Sequence, residues 1–568
     1  MSKSVEEQAF RYAVKNAAVH SGKADLGAVI GKLKALFPEI EIKELAKIAK
    51  EAVEKVNALS AAEIQTQFAQ FESEGYELKP REKEKGIPKL DWAEGGEAVI
   101  TRFAPNPNGP MHFGHLRAAL LSAEFARKYN GKFLLRFEDT DPKVKKPLEN
   151  AKELFLGDLK WLGFKPDQVI WASDRFDTYY AYMKNILSMG HAYACTCDNN
   201  AFKKMKNAGI ACPCRELNPK EQLARFERML SHKFKEGEAV LRIKTDLNHP
   251  DLSVRDWWAA KIVDRVAYSR LKNRAVFPSF NFQNAVDDHE MGVTLILRGS
   301  QHAQNATKQK FLYGYFGWIF PHIIHFGLIK MKGVLLSKSK IAELMKEDKS
   351  FLGFFDPRLG TIAAFREKGF VPQALIEEIT ELGVNPNDAT VSIEKLASHN
   401  RALIDKESNR FIFLGSPVEV VVNNAPQAVA QLENYPGDAS HGVRKYVLSA
   451  GRGHFWIDQP EAENLKLGSV FRLKHAFNVR VVKKDGKKID AEFVSTEHKT
   501  GIPIANWLLP DQTVKVQVRM LDNTTKDGYS ESFLGKQKTG SHVRFEDFGY
   551  LALRQKSKAQ IELNYTHS

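Results

Sequence analysis

The chain is poor in cysteine, with four in 568 residues, and Cys195, Cys197, Cys212 and Cys214 all fall in one short stretch. A disulfide framework scatters its cysteines, so this distribution argues against one and for a local metal clip. No uninterrupted apolar run approaches the roughly 18 residues needed to span a bilayer. The polar opening MSKSVEEQ lacks the charged-then-apolar layout of a signal peptide, so the expectation is a cytoplasmic protein with no membrane partner. Internal repeats and low-complexity tracts are also absent. Acid is scarcer than base: 69 Asp and Glu against 83 Lys and Arg give a net charge of +14 and a pI of about 9.2. That excess points to a polyanionic partner, nucleic acid before an anionic membrane surface.

What is present suggests three or four domains, because 568 residues exceed one ordinary core. Residues 1–80 repeat apolar side chains at three- and four-residue intervals among lysines and glutamates, as amphipathic helices do. A stretch mixing charge, proline and glycine follows, read as a linker over 81–97. From Val99 the texture changes to AVITRFA, a proline/glycine turn, LRAALLSAEFARKY and KFLLRFE: strand, turn, helix and strand of a parallel α/β sheet. From about 409 the chain turns all-β, with IFL, VEVVV, FWI, VFRL, VRVV, VKVQV and VRF separated by turn residues, a barrel-like pattern.

The strongest chemical signal is FAPNPNGPMHFGH in the first βα turn. A helix N-terminus offers unpaired N–H groups to a phosphate. Gly114 permits close backbone approach, and His112 and His115 are placed to donate to a triphosphate as charge builds on it. With the helix behind it, this segment resembles the HIGH signature of class I aminoacyl-tRNA synthetases, and RFAPNPNGPMHFGHLRAAL resembles the glutamyl/glutaminyl branch. RFEDTDP, VDDHEMGVTLILRG, GVLLSKSK and FDPRLGTIAAFREKGFVPQAL follow in the order found in archaeal/eukaryotic-type glutamyl-tRNA synthetases. LLSKSK resembles the KMSKS loop, with Ser337, Lys338 and Ser339 matching and Leu335 in place of the first lysine.

The resemblance implies a Rossmann-like catalytic domain over 98–192 and 281–343, split by an acceptor-binding insertion over 193–280. A helical stem-contact connector over 344–408 and β-barrels for the anticodon over 409–568 would complete it. It implies activation of glutamate by ATP with Mg2+ and transfer to the 3′ end of tRNA-Glu, with tRNA-Gln also charged, by a monomer. Lys338 would meet the departing phosphates, with His112, Gly114, His115, Ser337 and Ser339 as further ATP contacts. Arg102 and Arg298, at the ends of two sheet segments, would meet the substrate in the crevice where α/β folds bind ligands. Arginine at 298 is what separates glutamyl from glutaminyl enzymes. Glu138 would face the substrate ammonium, and Asn284 would support it. Phe280 stands where the family often carries tyrosine, so no hydroxyl is donated there.

The four cysteines, C-T-C and C-P-C, are read as a structural Zn2+ site, as in segments of some members of this family. Basic residues interleaved with aromatics in the β tail, among them Arg472, Lys474, His475, Arg480, Lys483 and Lys484 around Phe471, Phe477 and Trp507, suggest RNA contact by stacking and charge. A glutaminyl-tRNA synthetase and a catalytically silent tRNA-binding relative remain the alternatives.

Overall fold

The computed structural model describes residues 5–19, 22–37, 40–73, 87–336 and 338–568, in two units, Met1–Lys85 and Gly86–Ser568. The first unit has helices Val5–Val19, Leu26–Leu36, Ile42–Asn57 and Ala61–Ser73. Ile42–Asn57 buries Leu45, Ala49, Ala52, Val53 and Val56, a helical stripe that packs with Ala9, Ala13, Val14, Ala17 and Leu33. Asp25 caps the second helix through the Ala28 amide at 2.7 Å.

The second unit opens on β1 (Ile100–Phe103), α1 (Phe113–Lys128), β2 (Lys132–Phe137) and β3 (Gln168–Trp171), then returns with α2 (Phe280–Glu290), β4 (Leu295–Gly299), α3 (Ala303–Phe316), β5 (His322–Phe326) and α4 (Lys338–Glu347). The five strands form a parallel sheet in the order β3-β2-β1-β4-β5. Phe113, Leu116, Leu120, Phe125, Phe133, Leu135 and Phe137 are buried against it. The order reverses between β1 and β4, and the crevice at the carboxyl ends of those two strands is where such sheets bind ligands. Between the two halves lies a four-stranded antiparallel sheet of Ala192–Cys195, Val240–Ile243, Trp258–Ile262 and Val276–Pro278. The fold is therefore the expected Rossmann-like core with a β-rich C-terminal part.

That part holds two large sheets, one nested in the other along the chain, and a two-stranded ribbon of Ala428–Glu433 and Val443–Leu448. Six of the eight strands between 417 and 505 make a sheet, and a bridge between Trp456 and Leu508 brings its far edges together. A seven-stranded sheet begins with Asn409–Phe411 and ends with Phe413–Leu414, so its two edge strands are separated by Ile412 alone and it curls towards closure. This packing corrects one expectation: Phe471, Phe477 and Trp507 are barrel core, 0–2% exposed, and are not free to stack on bases. Lys474 pairs with Glu546, and Lys484 binds the carbonyls of Ala462, Glu463 and Leu465. Of the tail residues singled out, His475, Arg480 and Lys483 are exposed.

Candidate active site

A cavity of about 410 Å³ opens at the sheet's switch point and is lined by Arg102, Asn106, His112, Gly114, His115, Phe280, Asn284, Arg298, His302 and Leu336, among others. Arg102 sits near the carboxyl end of β1 and Arg298 near that of β4, because alternate residues of a strand face one way and the strand ends converge here.

The turn after β1 is held from two sides. Asn106 donates to the Glu138 carbonyl at 2.8 Å, and Lys338, the first residue of α4, donates from Nζ to the Asn106 carbonyl at 2.7 Å. Gly109 is needed for that approach, since a Cβ there would lie 3.0 Å from the Lys338 Cδ. At Gly114 a Cβ would press on the His112 ring at 3.1 Å. His112 and His115 stack with ring centres 3.7 Å apart, and the His112 amide reaches His115 Nδ1 at 3.3 Å. Burial, aided by Lys338, pushes His112 down to about 3; burial, His112 and Lys338 push His115 well down too. Both rings are thus neutral near pH 7, each with one N–H to donate. His112 Nδ1 is buried without a partner. Lys338 is held down to about 7 by burial and then by Lys145, so its charge is only half retained at neutral pH before an anion arrives. Ser337 lies outside the described residues, as does the Ser339 side chain.

The segment Phe354–Ile362 ties the two signature regions together. Phe113 donates to the Gly360 carbonyl at 3.0 Å, Ile362 to Met111 at 3.0 Å, and Gly360 to Leu335 at 3.1 Å. One short run of backbone therefore touches both the histidine turn and the lysine loop.

The other end of the cavity rests on buried charge pairs. Arg102 Nε meets Asp288 at 3.0 Å. Arg136, fully buried, meets the same carboxylate at 2.7 Å and Glu138 at 3.0 Å, and gives its remaining arm to Asn284 Oδ1 at 2.8 Å. Burial pushes Asp288 up, but Arg102 and then Arg136 outweigh it and hold it below the usual carboxylate range. Glu138 accepts a short bond from Gln283 and one of 3.2 Å from Asn284 on its other oxygen. Both its oxygens are therefore engaged within the protein, and it is not on the cavity wall. Phe280 is on the wall, 42% exposed, its ring 6.0 Å from that of His302.

Arg298 differs from these arginines. It is 7% exposed, the only hydrogen bond of its side chain among the described residues runs from Nη1 to Gln309 Oε1 at 3.1 Å, and its Nε and Nη2 are buried without partners there. Burial and the neighbouring Arg102 lower it to about 10, so it stays cationic at neutral pH. A buried cation with two open donors on a cavity wall is a receptor for a carboxylate.

Sequence reasoning quoted RFEDTDP and VDDHE without assigning Arg136, Asp287 or Asp288. The available signal was charge set inside apolar stretches, FLLRFED and NAVDDHE. Gln309, in TKQKF, gave none, since its lysine neighbours read as a solvated face.

In the antiparallel domain the four cysteine sulfurs lie within 4.8 Å of one another, with Cys195–Cys212 and Cys197–Cys214 each at 3.8 Å. A tetrahedron with Zn–S near 2.3 Å has edges of about 3.8 Å, so the donor set and spacing fit such an ion. Arg225 donates to Cys214 Sγ at 3.2 Å, the kind of outer bond that orients a thiolate ligand. Glu378, Glu381 and His399 also cluster, but Lys395 already occupies the two carboxylates at 2.8 and 3.0 Å.

The fold and the site together define a class I aminoacyl-tRNA synthetase. Residues 98–406 match the family of class I tRNA synthetases for E and Q, catalytic domain, and residues 408–499 match its anti-codon binding domain. Curated relatives are similar over whole lengths. The glutamate–tRNA ligase of Pyrococcus abyssi is 43% identical over 99% of this chain and 100% of its own, and that of Pyrococcus horikoshii 42% over the same shares. The chain belongs to the archaeal-type glutamate–tRNA ligases. A crystal structure of a glutamate tRNA ligase from Elizabethkingia meningosepticum in complex with its amino acid aligns over 55% of this chain and 71% of that one, at 24% identity and a TM-score of 0.40.

Proposed function

We propose that this chain joins glutamate to tRNA-Glu at the expense of ATP, and that Arg298 selects the amino acid. The observation carrying this reading is the guanidinium of Arg298, buried on the cavity wall with two donors open and no carboxylate among the described residues bonded to it, Asp288 acting on it only from a distance. Glutamate supplies the missing anion and glutamine does not. Leaving a buried charge unpaired costs roughly 3–5 kcal/mol, so glutamine is disfavoured by about a hundred- to a few thousandfold.

In the first step the α-carboxylate oxygen attacks the α-phosphorus of Mg-ATP, and the bond to the β-phosphate oxygen breaks to release pyrophosphate. In the second, a terminal ribose hydroxyl of the tRNA attacks the acyl carbon and AMP leaves with the electron pair. No side chain serves as nucleophile; positioning and charge do the work. His112 and His115, as neutral donors, and the α1 N-terminus bind phosphate oxygens. Lys338, in the first turn of α4, gains its full charge as phosphate approaches. Arg102, its charge answered by Asp288, forms the wall beside Arg298, and Asn284 and Phe280 shape the amino-acid end. Glu138, tied into the floor by Arg136, acts on the substrate ammonium through its field.

The four cysteines hold structural zinc, which fixes the insertion over 193–280 that receives the acceptor end; the connector over 344–408 meets the stem and the barrels over 409–568 the anticodon. The site takes tRNA-Gln as well as tRNA-Glu. Charging of purified tRNA-Glu and tRNA-Gln with labelled glutamate, and separately with glutamine, tests these readings. Glutamate on both tRNAs is expected. Glutamate on tRNA-Glu alone would remove the broader specificity, and glutamine in place of glutamate would remove the role of Arg298.

A further inference from the structure

The cavity floor holds three buried arginines, and two of them are treated alike. Arg102 and Arg136 are neutralised by Asp288, with Glu138 adding to the second. Arg298 is the exception, because the group that fixes it is an uncharged amide. Gln309 sits on α3, 2% exposed, and accepts from Arg298 Nη1 at 3.1 Å. The amide has its oxygen turned to the guanidinium, the only orientation in which the contact is a hydrogen bond, since a guanidinium has no acceptor. Its own Nε2 is buried and unpartnered. So this side chain spends a buried polar group on one bond, and that bond holds one arm of Arg298 while Nε and Nη2 stay open.

A carboxylate at the same place would hold the guanidinium at least as well. It would also pair with it, as Asp288 does with Arg102, and remove the uncompensated charge that a substrate carboxylate needs. We infer that Gln309 is a positioning residue for amino-acid selection: it orients Arg298 through a neutral acceptor and so keeps the cation available to glutamate. This rests on the reading of Arg298 as the partner of the substrate side chain. Specificity then depends on two residues eleven positions apart, a cation on a strand end and the uncharged residue that steadies it from the next helix.

The test is glutamate-dependent charging of tRNA-Glu by the wild-type enzyme, Q309E, Q309M, R298Q and each position-309 substitution combined with R298Q. Q309E is expected to lower kcat/KM for glutamate about a hundredfold, chiefly through KM, and to narrow discrimination against glutamine by a similar factor. Q309M, which loses the bond without adding charge, is expected to cost about tenfold. The KM for ATP, measured on the same samples, is expected to stay within about twofold of wild type, which a general loss of packing would not allow. In the R298Q background either substitution is expected to change kcat/KM for glutamate less than about twofold, because the partner through which Gln309 acts is gone. A Q309E enzyme with unaltered preference, or equal penalties with and without R298Q, would overturn the proposal. Should Q309E not fold, the Q309M pair decides in the same way. If R298Q itself leaves glutamate use unchanged, the assignment of Arg298 fails first; if R298Q is impaired and the 309 variants are not, only the role of Gln309 fails.

Discussion

The two ends of the cavity handle charge in opposite ways. At the amino-acid end, Arg102, Arg136, Glu138 and Asp288 are locked into mutual pairs with Arg298 alone left open; at the phosphate end, His112, His115 and Lys338 face no carboxylate, and burial drives them towards neutrality. The first arrangement is complete before the substrate arrives and presents one fixed cation. The second acquires charge only when a phosphate does. Discrimination needs a rigid reference and phosphate transfer needs a group that responds, so the difference matches what each end is asked to do.

Breaking the paired floor has the largest expected effect. D288N leaves Arg102 and Arg136 without their shared carboxylate and is expected to cost about 3–5 kcal/mol of stability, read by urea unfolding; an unshifted midpoint would show that the pairs contribute nothing. R298Q leaves the floor intact and removes the open cation, so kcat/KM for glutamate is expected to fall about a thousandfold with the unfolding midpoint retained. At the other end, K338A is expected to slow glutamate activation about a hundredfold while tRNA affinity holds, and equal activation would deny the lysine its part. The pH profile is a gentler probe. Lys338 must carry its proton to attract phosphate and is held at about 7, so kcat/KM for ATP is expected to level off below pH 7. Above it, the value should fall about tenfold per pH unit. A flat profile from pH 7 to 9 would place the titration elsewhere. Smallest is the effect of chelation: removing the zinc proposed for the cysteine cluster should weaken tRNA charging several-fold and leave the Kd for ATP unchanged.

Much of this molecule could be read from residue order. The switch from helical to period-two patterning after 409 reflects a real change of architecture, and the histidine turn, Arg102 and Arg298 do line one cavity. These features are local: a strand end, a turn or a helix start is written within a dozen residues. The floor was not legible because its partners are distant in sequence, Arg136 with Asp288 and Arg102 with Asp288. A charged residue in an apolar run does not say which other one it meets. The aromatics of the β tail misled for a related reason, since alternation places a ring on one face of a strand without telling which face the barrel encloses. That Gln283 and Asn284 would take the second oxygen of Glu138 was likewise not legible, because nothing nearby in sequence announces it.

The nested sheets also bear on how the chain is made. The six-stranded sheet can close once the ribosome has released residue 508. The seven-stranded sheet cannot, because Asn409–Phe411 waits for Val543–Phe545, and the strand pairing with Thr513–Arg519 is Ile561–His567. At about 5–20 residues per second, the interval of about 130 residues between Asn409–Phe411 and its partner Val543–Phe545 amounts to roughly 7–26 s. During that time Asn409–Phe411 has no partner strand, while Phe413–Leu414 finds its own in Thr525–Glu531 somewhat earlier. Their open edges are then the part of the nascent protein most in need of a chaperone or of slow, uncrowded synthesis.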